Sequence, residues 1–125
     1  MIADCLEEML LDGGYEVCGI AGNVADAVAL AEREHPDLGV IDVQLRGGEC
    51  GTAVAAAVRR GGPFGVLYAT GNPNHPLLAV AEGEGCISKP YTGHAILAAL
   101  AVVSQAMARQ PLPAALPKGF RLLGA

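Results

Sequence analysis

Residues 38–43 read LGVIDV, an apolar run with the carboxylate of Asp42 at its far end. Two later stretches repeat the pattern: FGVLYAT at 64–70 ends in Thr70, and GCISK at 85–89 ends in Lys89. Short apolar runs of this kind, bounded by Gly and Pro, read as β-strands. They are continuous rather than alternating, the pattern of strands covered on both faces.

The segments between them carry a helical period. Upstream, Ile2, Leu6 and Met9/Leu10 recur at helical spacing, and Gly13–Gly14 ends that helix. YEVCGIA at 15–21 is a further strand candidate. Asn23 is a helix cap with Asp26 three residues on, and the helix that follows stops at Pro36. Downstream, 52–60 is an Ala-rich helix closed by Gly61–Gly62, and 76–82 reads as a short helix with Pro76 in its first turn. Thr92 caps a last helix whose Ile96, Leu100, Val103 and Met107 share one face. Five helices alternate with four strands, which specifies an α/β fold: a parallel sheet with helices on both faces. The chain divides into a domain, 1–109, and a Pro-rich tail, 110–125, read as QPLPAALPKGFRLLGA.

Composition narrows the function. Hydrophobic residues make up 52% of the 125, which excludes an intrinsically disordered chain. No apolar run reaches the roughly 18 residues a membrane span needs. A net charge of −5 with no Trp argues against nucleic acid as a partner. Cys5, Cys18, Cys50 and Cys86 form no CxxC pair and no zinc spacing, so they read as buried or half-buried thiols. The start, MIADCLEEML, has no basic n-region and no long apolar stretch. Both observations lead to a cytoplasmic expectation.

Parallel strands place their carboxyl ends on one edge of a sheet, where ligands of open α/β folds bind. Asp42, Thr70 and Lys89 should therefore converge. A carboxylate is a nucleophile toward phosphorus. An ammonium and a hydroxyl are suitable clamps for the oxygens of a transferring phosphoryl group.

On these residues the sequence resembles the receiver domain of two-component response regulators, a flavodoxin-like phosphoacceptor fold. The resemblance rests on Asp42 in LGVIDVQLRGGECG, Thr70 in LYATG, and Lys89-Pro90-Tyr91 in CISKPY, and it covers about residues 1–108. The YATG and RGGECG stretches are most similar to an alphaproteobacterial subgroup with a Phe-Ala-Thr-Gly signature. The resemblance implies phosphorylation of Asp42 by a histidine kinase or histidine phosphotransferase. It implies that Thr70 and Lys89 hold the phosphoryl group, that the Lys89–Pro90 bond is cis, and that Mg²⁺ binds beside Asp42. Output would pass by protein–protein contact through Tyr91, Thr92 and the exposed side of helix 93–109, without an enzymatic function.

The sequence also departs from the family. The resemblance begins at the family's first helix, so the first strand and its acidic pair are missing. Asp4, Glu7, Glu8 and Asp12 read as the solvated face of a helix, leaving Asp42 as the one carboxylate for Mg²⁺ and a weak metal site. The gap in the sheet could be closed in three ways: by 15–21 sliding against 38–43, by a second copy in a homodimer, or by the tail segment GFRLL at 119–123. Cys86 stands where the family often has an aromatic switch residue, and reads as a packed small side chain. His35, His75 and His94 follow no ligand spacing, and Gly47–Gly48 reads as a flexible turn lacking the phosphate-loop pattern. Gly71 leaves the site open to a partner histidine. The alternative is a degenerate pseudo-receiver that binds partners without phosphorylation. An aspartyl-phosphate enzyme is disfavoured, since position 44 is Gln rather than a second aspartate.

Overall fold

The computed structural model describes residues 3–43, 45, 48–72, 76–79 and 81–123. Four helices, α1 (Ala3–Asp12), α2 (Val24–Glu34), α3 (Gly51–Arg59) and α4 (Gly93–Met107), surround four strands. These are β1 (Leu38–Asp42), β2 (Gly65–Thr70), β3 (Gly85–Ser88) and β4 (Phe120–Leu122), and the sheet order is β1-β2-β3-β4. The first two pairings are parallel and the last is antiparallel.

The α/β architecture and the strand-end convergence are as the sequence specifies. All six residues of β2 are buried, and its side chains divide between two cores. Val66 and Tyr68 pack with Ile41, Val43, Val54 and Cys86 on the α2–α3 side. Leu67 and Ala69 pack with Ile87, Ile96, Leu100 and Val103 on the α1–α4 side. This period-2 division explains why the strand reads as uninterrupted apolar sequence. Both anticipated caps form: Asn23 Oδ1 accepts from the Asp26 amide at 2.8 Å and Thr92 Oγ1 accepts from the Ala95 amide at 3.0 Å. α2 stops at His35, whose left-handed φ of 50° turns the chain before Pro36.

A partly buried ion pair fixes how α3 meets the sheet. Arg59 Nη2 bridges both carboxylate oxygens of Glu84, and its Nε donates to the Phe64 carbonyl at 3.0 Å. Glu84 Oε1 also accepts from the Val66 amide at 2.8 Å. Two side chains thus satisfy backbone groups at the start of β2 and hold it beside the start of β3.

Three sequence expectations need correction. Segment 15–21 is not a strand. An extended segment becomes a strand only with a neighbour to bond, and none adjoins it among the described residues. Cys18 is consequently exposed rather than half-buried. Residues 76–82 give only a single 3₁₀ turn, Pro76–Ala79, in place of a fifth helix. The tail does supply a strand, but β4 pairs with β3 at the edge opposite the gap. β1 is therefore an edge strand, and a cleft of about 1170 Å³ lies between it and the 15–23 segment, lined by Val17, Ile20, Leu30, Val40 and Leu100.

Gly51 seats α3 against the carboxyl end of β1. Its amide donates to the Val43 carbonyl at 2.7 Å, and an added Cβ would lie 1.9 Å from the Asp42 carbonyl oxygen and 2.6 Å from Ile41 Cγ2. Backbone cannot yield as a flexible side chain does. Gly51→Ala is expected to lower stability by about 2–3 kcal/mol, at the upper end of overpacking costs, as measured by denaturant unfolding.

Candidate functional site at the carboxyl edge of the sheet

Asp42 is the last residue of β1, Thr70 the last of β2, and Lys89 follows directly on β3. The register carries them to one edge, with Asp42 opposite Ala69 and Thr70 opposite Ser88. The Lys89 amide donates to the Thr70 carbonyl at 2.8 Å, which holds the chain beyond β3 against the end of β2. The Lys89–Pro90 peptide bond is cis.

The side chains meet accordingly. Lys89 Nζ donates to Asp42 Oδ2, an ion pair that spans the end of β2. Asp42 is 42% and Lys89 33% exposed, so solvent and a partner can reach both. Thr70 is buried, and its hydroxyl is engaged locally: it accepts from the Asn72 amide at 2.9 Å and lies 3.2 Å from the Asn72 carbonyl, to which it donates. The hydroxyl is thus at the site edge but committed to its own loop. At the next residue, Gly71, an added Cβ would meet nothing within 4 Å, so approach to the site is open there.

Two neighbours support this edge: Glu49, which the sequence did not single out, and Tyr91 of the Lys-Pro-Tyr stretch. Glu49 lies in the segment after β1; its carbonyl accepts from the Leu45 amide at 2.8 Å and its Oε1 from the Val24 amide at 3.0 Å. It therefore ties the segment after Asp42 to the start of α2. A Glu seven residues beyond a strand end carries no sequence signal of such a bond. Tyr91, half-buried, shares the cleft lining with Asp42 and Lys89. Burial, and secondarily the Asp42 carboxylate, push its phenol above the ordinary range.

Other expectations resolve simply. Cys86 is fully buried in the α2–α3 core. Glu8 and Asp12 are exposed on α1, and Glu7 is half-buried. His75, Gly47 and the side chains of Asp4 and Cys5 lie outside the described residues. His35 caps α2 and His94 is exposed on α4.

The metal expectation meets a poor fit. Among the described residues no group of three or more His, Cys, Asp or Glu side chains comes together. Asp42 offers one carboxylate, and Lys89 already pairs with it. Mg²⁺ requires six oxygens in near-octahedral array, so these residues do not form a preformed site for it.

Comparison with known proteins bears on the fold that carries this edge. No protein-family model matches the chain. The transcriptional regulatory protein PdtaR of Mycobacterium tuberculosis is 43% identical over 65 residues, covering 51% of this chain and 32% of PdtaR. The matched stretch thus spans about a third of that relative. The signal receiver domain of a modulated diguanylate cyclase from Desulfovibrio desulfuricans superposes with a TM-score of 0.76 at 23% identity, covering 86% of this chain and 87% of that one. A Burkholderia pseudomallei response regulator, solved with a phosphorylated aspartic acid, a calcium ion and citrate, gives 0.71 at 28% identity, covering 86% of this chain and 65% of that one. The chain thus has the fold of response-regulator receiver domains and resembles a transcriptional regulatory protein in sequence over about half of its length.

The three tyrosines give this edge and the two cores an optical readout. Burial raises the phenol pKa of Tyr15, Tyr68 and Tyr91, with Asp42 adding to the effect at Tyr91. A raised folded-state pKa contributes stability that is full below the unfolded phenol value of about 10 and is lost as pH rises through the folded values. Absorbance titration of the folded chain is expected to show no phenol ionising at the ordinary value. Asp42→Asn should lower the Tyr91 midpoint while leaving it above ordinary, because burial is the larger cause.

Proposed function

We propose that this receiver domain accepts a phosphoryl group on Asp42 from a phosphohistidine of a kinase or phosphotransferase and passes the signal by protein–protein contact, without turnover of its own. The observation that carries the reading is the Asp42–Lys89 ion pair at the sheet's carboxyl edge, with Thr70 beside it. In the transfer, an Asp42 carboxylate oxygen attacks phosphorus. The new P–O bond forms as the P–N bond to the donor imidazole breaks, and the leaving nitrogen takes a proton. Lys89 exchanges its contact with the carboxylate for one with a phosphoryl oxygen, so its positive charge remains beside the added negative charge. Thr70 would join by releasing Asn72 and turning its hydroxyl to a second oxygen. Tyr91, Thr92 and the exposed side of α4 lie next to these groups and offer the partner surface. In the family, Mg²⁺ assists by neutralising phosphoryl oxygens; here the single carboxylate argues for weak metal binding, and the steps above are carried by the chain's own residues.

No helix among the described residues is long and apolar enough to cross a membrane. Cytoplasmic residence, where kinase and phosphotransferase partners act, is part of this proposal. So is a homodimer in which a second copy lies along the free edge of β1 and completes the sheet.

A second reading rests on the same single carboxylate. Without a cluster of acidic groups among the described residues, the chain would serve as a pseudo-receiver that binds partners through the same face unphosphorylated.

Incubation of the intact chain with acetyl phosphate, with and without Mg²⁺, followed by native mass spectrometry, distinguishes the readings. The expected result is an acid-labile adduct of one phosphoryl mass, absent in Asp42→Asn. Lys89→Met is expected to slow its formation by roughly 10²–10³-fold, the effect of removing one charge-stabilising donor. A folded chain with no adduct contradicts phosphoacceptance from this donor and favours the pseudo-receiver. A dimer mass in the same spectrum supports completion of the sheet by a second copy.

A further inference from the structure

The tail joins the sheet through a seat that the β3 edge provides. Ile87 faces Phe120, Cys86 faces Arg121 and Gly85 faces Leu122 across an antiparallel ladder. The Ser88 amide donates to the Gly119 carbonyl and the Leu123 amide to the Glu84 carbonyl, each at 3.0 Å, closing the two ends. The Phe120 ring lies over Gly85: a Cβ there would come within 2.5 Å of two ring carbons. Phe120 and Leu122 join the α1–α4 core, whereas Leu123 packs on the α2–α3 core. Residues 110–116 of the tether are all exposed, and prolines at 111, 113 and 117 prevent it from forming helix or ladder.

β4 is three residues long and bonds to the sheet along one side, so few backbone bonds and the Phe120 side chain hold it there. The tether keeps the local concentration of the segment at the edge in the roughly millimolar range. The edge beneath it presents backbone donors and acceptors together with an aromatic-sized recess over Gly85, the two components of strand-addition recognition.

We propose that the outer edge of β3 is a peptide-docking surface that the chain's own tail covers in cis, and that it accepts from another protein an extended segment of the pattern aromatic-x-Leu in place of Phe120–Leu122. Backbone bonds to β3 supply the orientation, and the recess over Gly85 selects the aromatic residue. Docking ends at Ser88, one residue before Lys89, so a partner held there lies beside the candidate phosphoacceptor edge. The surface does not depend on phosphorylation of Asp42.

The test uses the full chain carrying Phe120→Ala and Leu122→Ala, which vacates the seat. The probe is a fluorescein-labelled peptide PKGFRLL, the sequence of residues 117–123, with PKGARLL as its control. Fluorescence anisotropy is expected to show PKGFRLL binding the opened chain at least about tenfold more tightly than the unaltered chain, since there the tether competes, and PKGARLL binding neither. Adding Gly85→Val to the opened chain should abolish binding while circular dichroism shows a folded protein. A folded opened chain that ignores PKGFRLL, or binds both peptides alike, overturns the proposal. Hydrogen exchange on the unaltered chain gives a second arm that needs no variant. The amides of Ser88 and Leu123 should exchange much faster than that of Leu67 in the core. Equal protection would mean the tail does not detach, and would also overturn the proposal.

Discussion

Parallel pairing of three short strands in matched register is the constraint from which the rest follows. β1, β2 and β3 run the same way and finish together, so whatever residue ends each strand arrives at a common edge. β2 holds this register because both of its faces are buried: a slip of one residue would exchange the side chains facing the two cores. The Arg59–Glu84 pair adds a polar anchor at the opposite end, where an unpaired backbone group at the start of β2 would be costly. The ion pair between Asp42 and Lys89 is a consequence of that packing. Its position over the end of β2 gives the edge a carboxylate and a cation, with the Thr70 hydroxyl nearby.

The two sides of the sheet have different fates. At the β3 side, the tail covers the exposed ladder and adds Phe120 to the core. At the β1 side, the ladder ends at a cleft bordered by the 15–23 segment, whose Ile20 is 54% exposed. A sheet with one edge covered by its own chain and the other facing an apolar cleft has an asymmetric capacity for association. The β1 edge suits a second sheet element, whereas the β3 edge already shows which short sequence it holds.

Much of this was legible in the sequence, and the exceptions have physical causes. The runs 38–43, 64–70 and 85–89 are apolar enough that burial on two faces is their one consistent reading, and the terminal polar residues then mark the edge. Asn23 and Thr92 were readable because capping is local chemistry. YEVCGIA at 15–21 has strand composition, yet strand formation needs a bonded neighbour, which composition does not encode. The tail segment around Phe120 was recognisable as strand-compatible, but the edge it joins is set by the recess over Gly85, a feature of the assembled sheet. Thr70 ends β2 as its strand reading specified, whereas the bond between its hydroxyl and Asn72 depends on a loop conformation that the residue types leave open. Glu49 and the Arg59–Glu84 pair belong to the same class, since ion pairs and side chain–backbone bonds across 25 residues have no periodic signature.

The proposed function requires Asp42, Thr70 and Lys89 to act together on one phosphoryl group. Backbone and side-chain NMR of the intact chain, titrated with beryllofluoride as a non-covalent phosphoryl mimic, addresses it most directly. Saturable shifts are expected at Asp42, on the Thr70–Asn72 turn as the hydroxyl leaves its loop, and at the Lys89 ammonium, all lost in Asp42→Asn. A folded chain whose resonances at these positions stay unmoved, or move equally in Asp42→Asn, would contradict it.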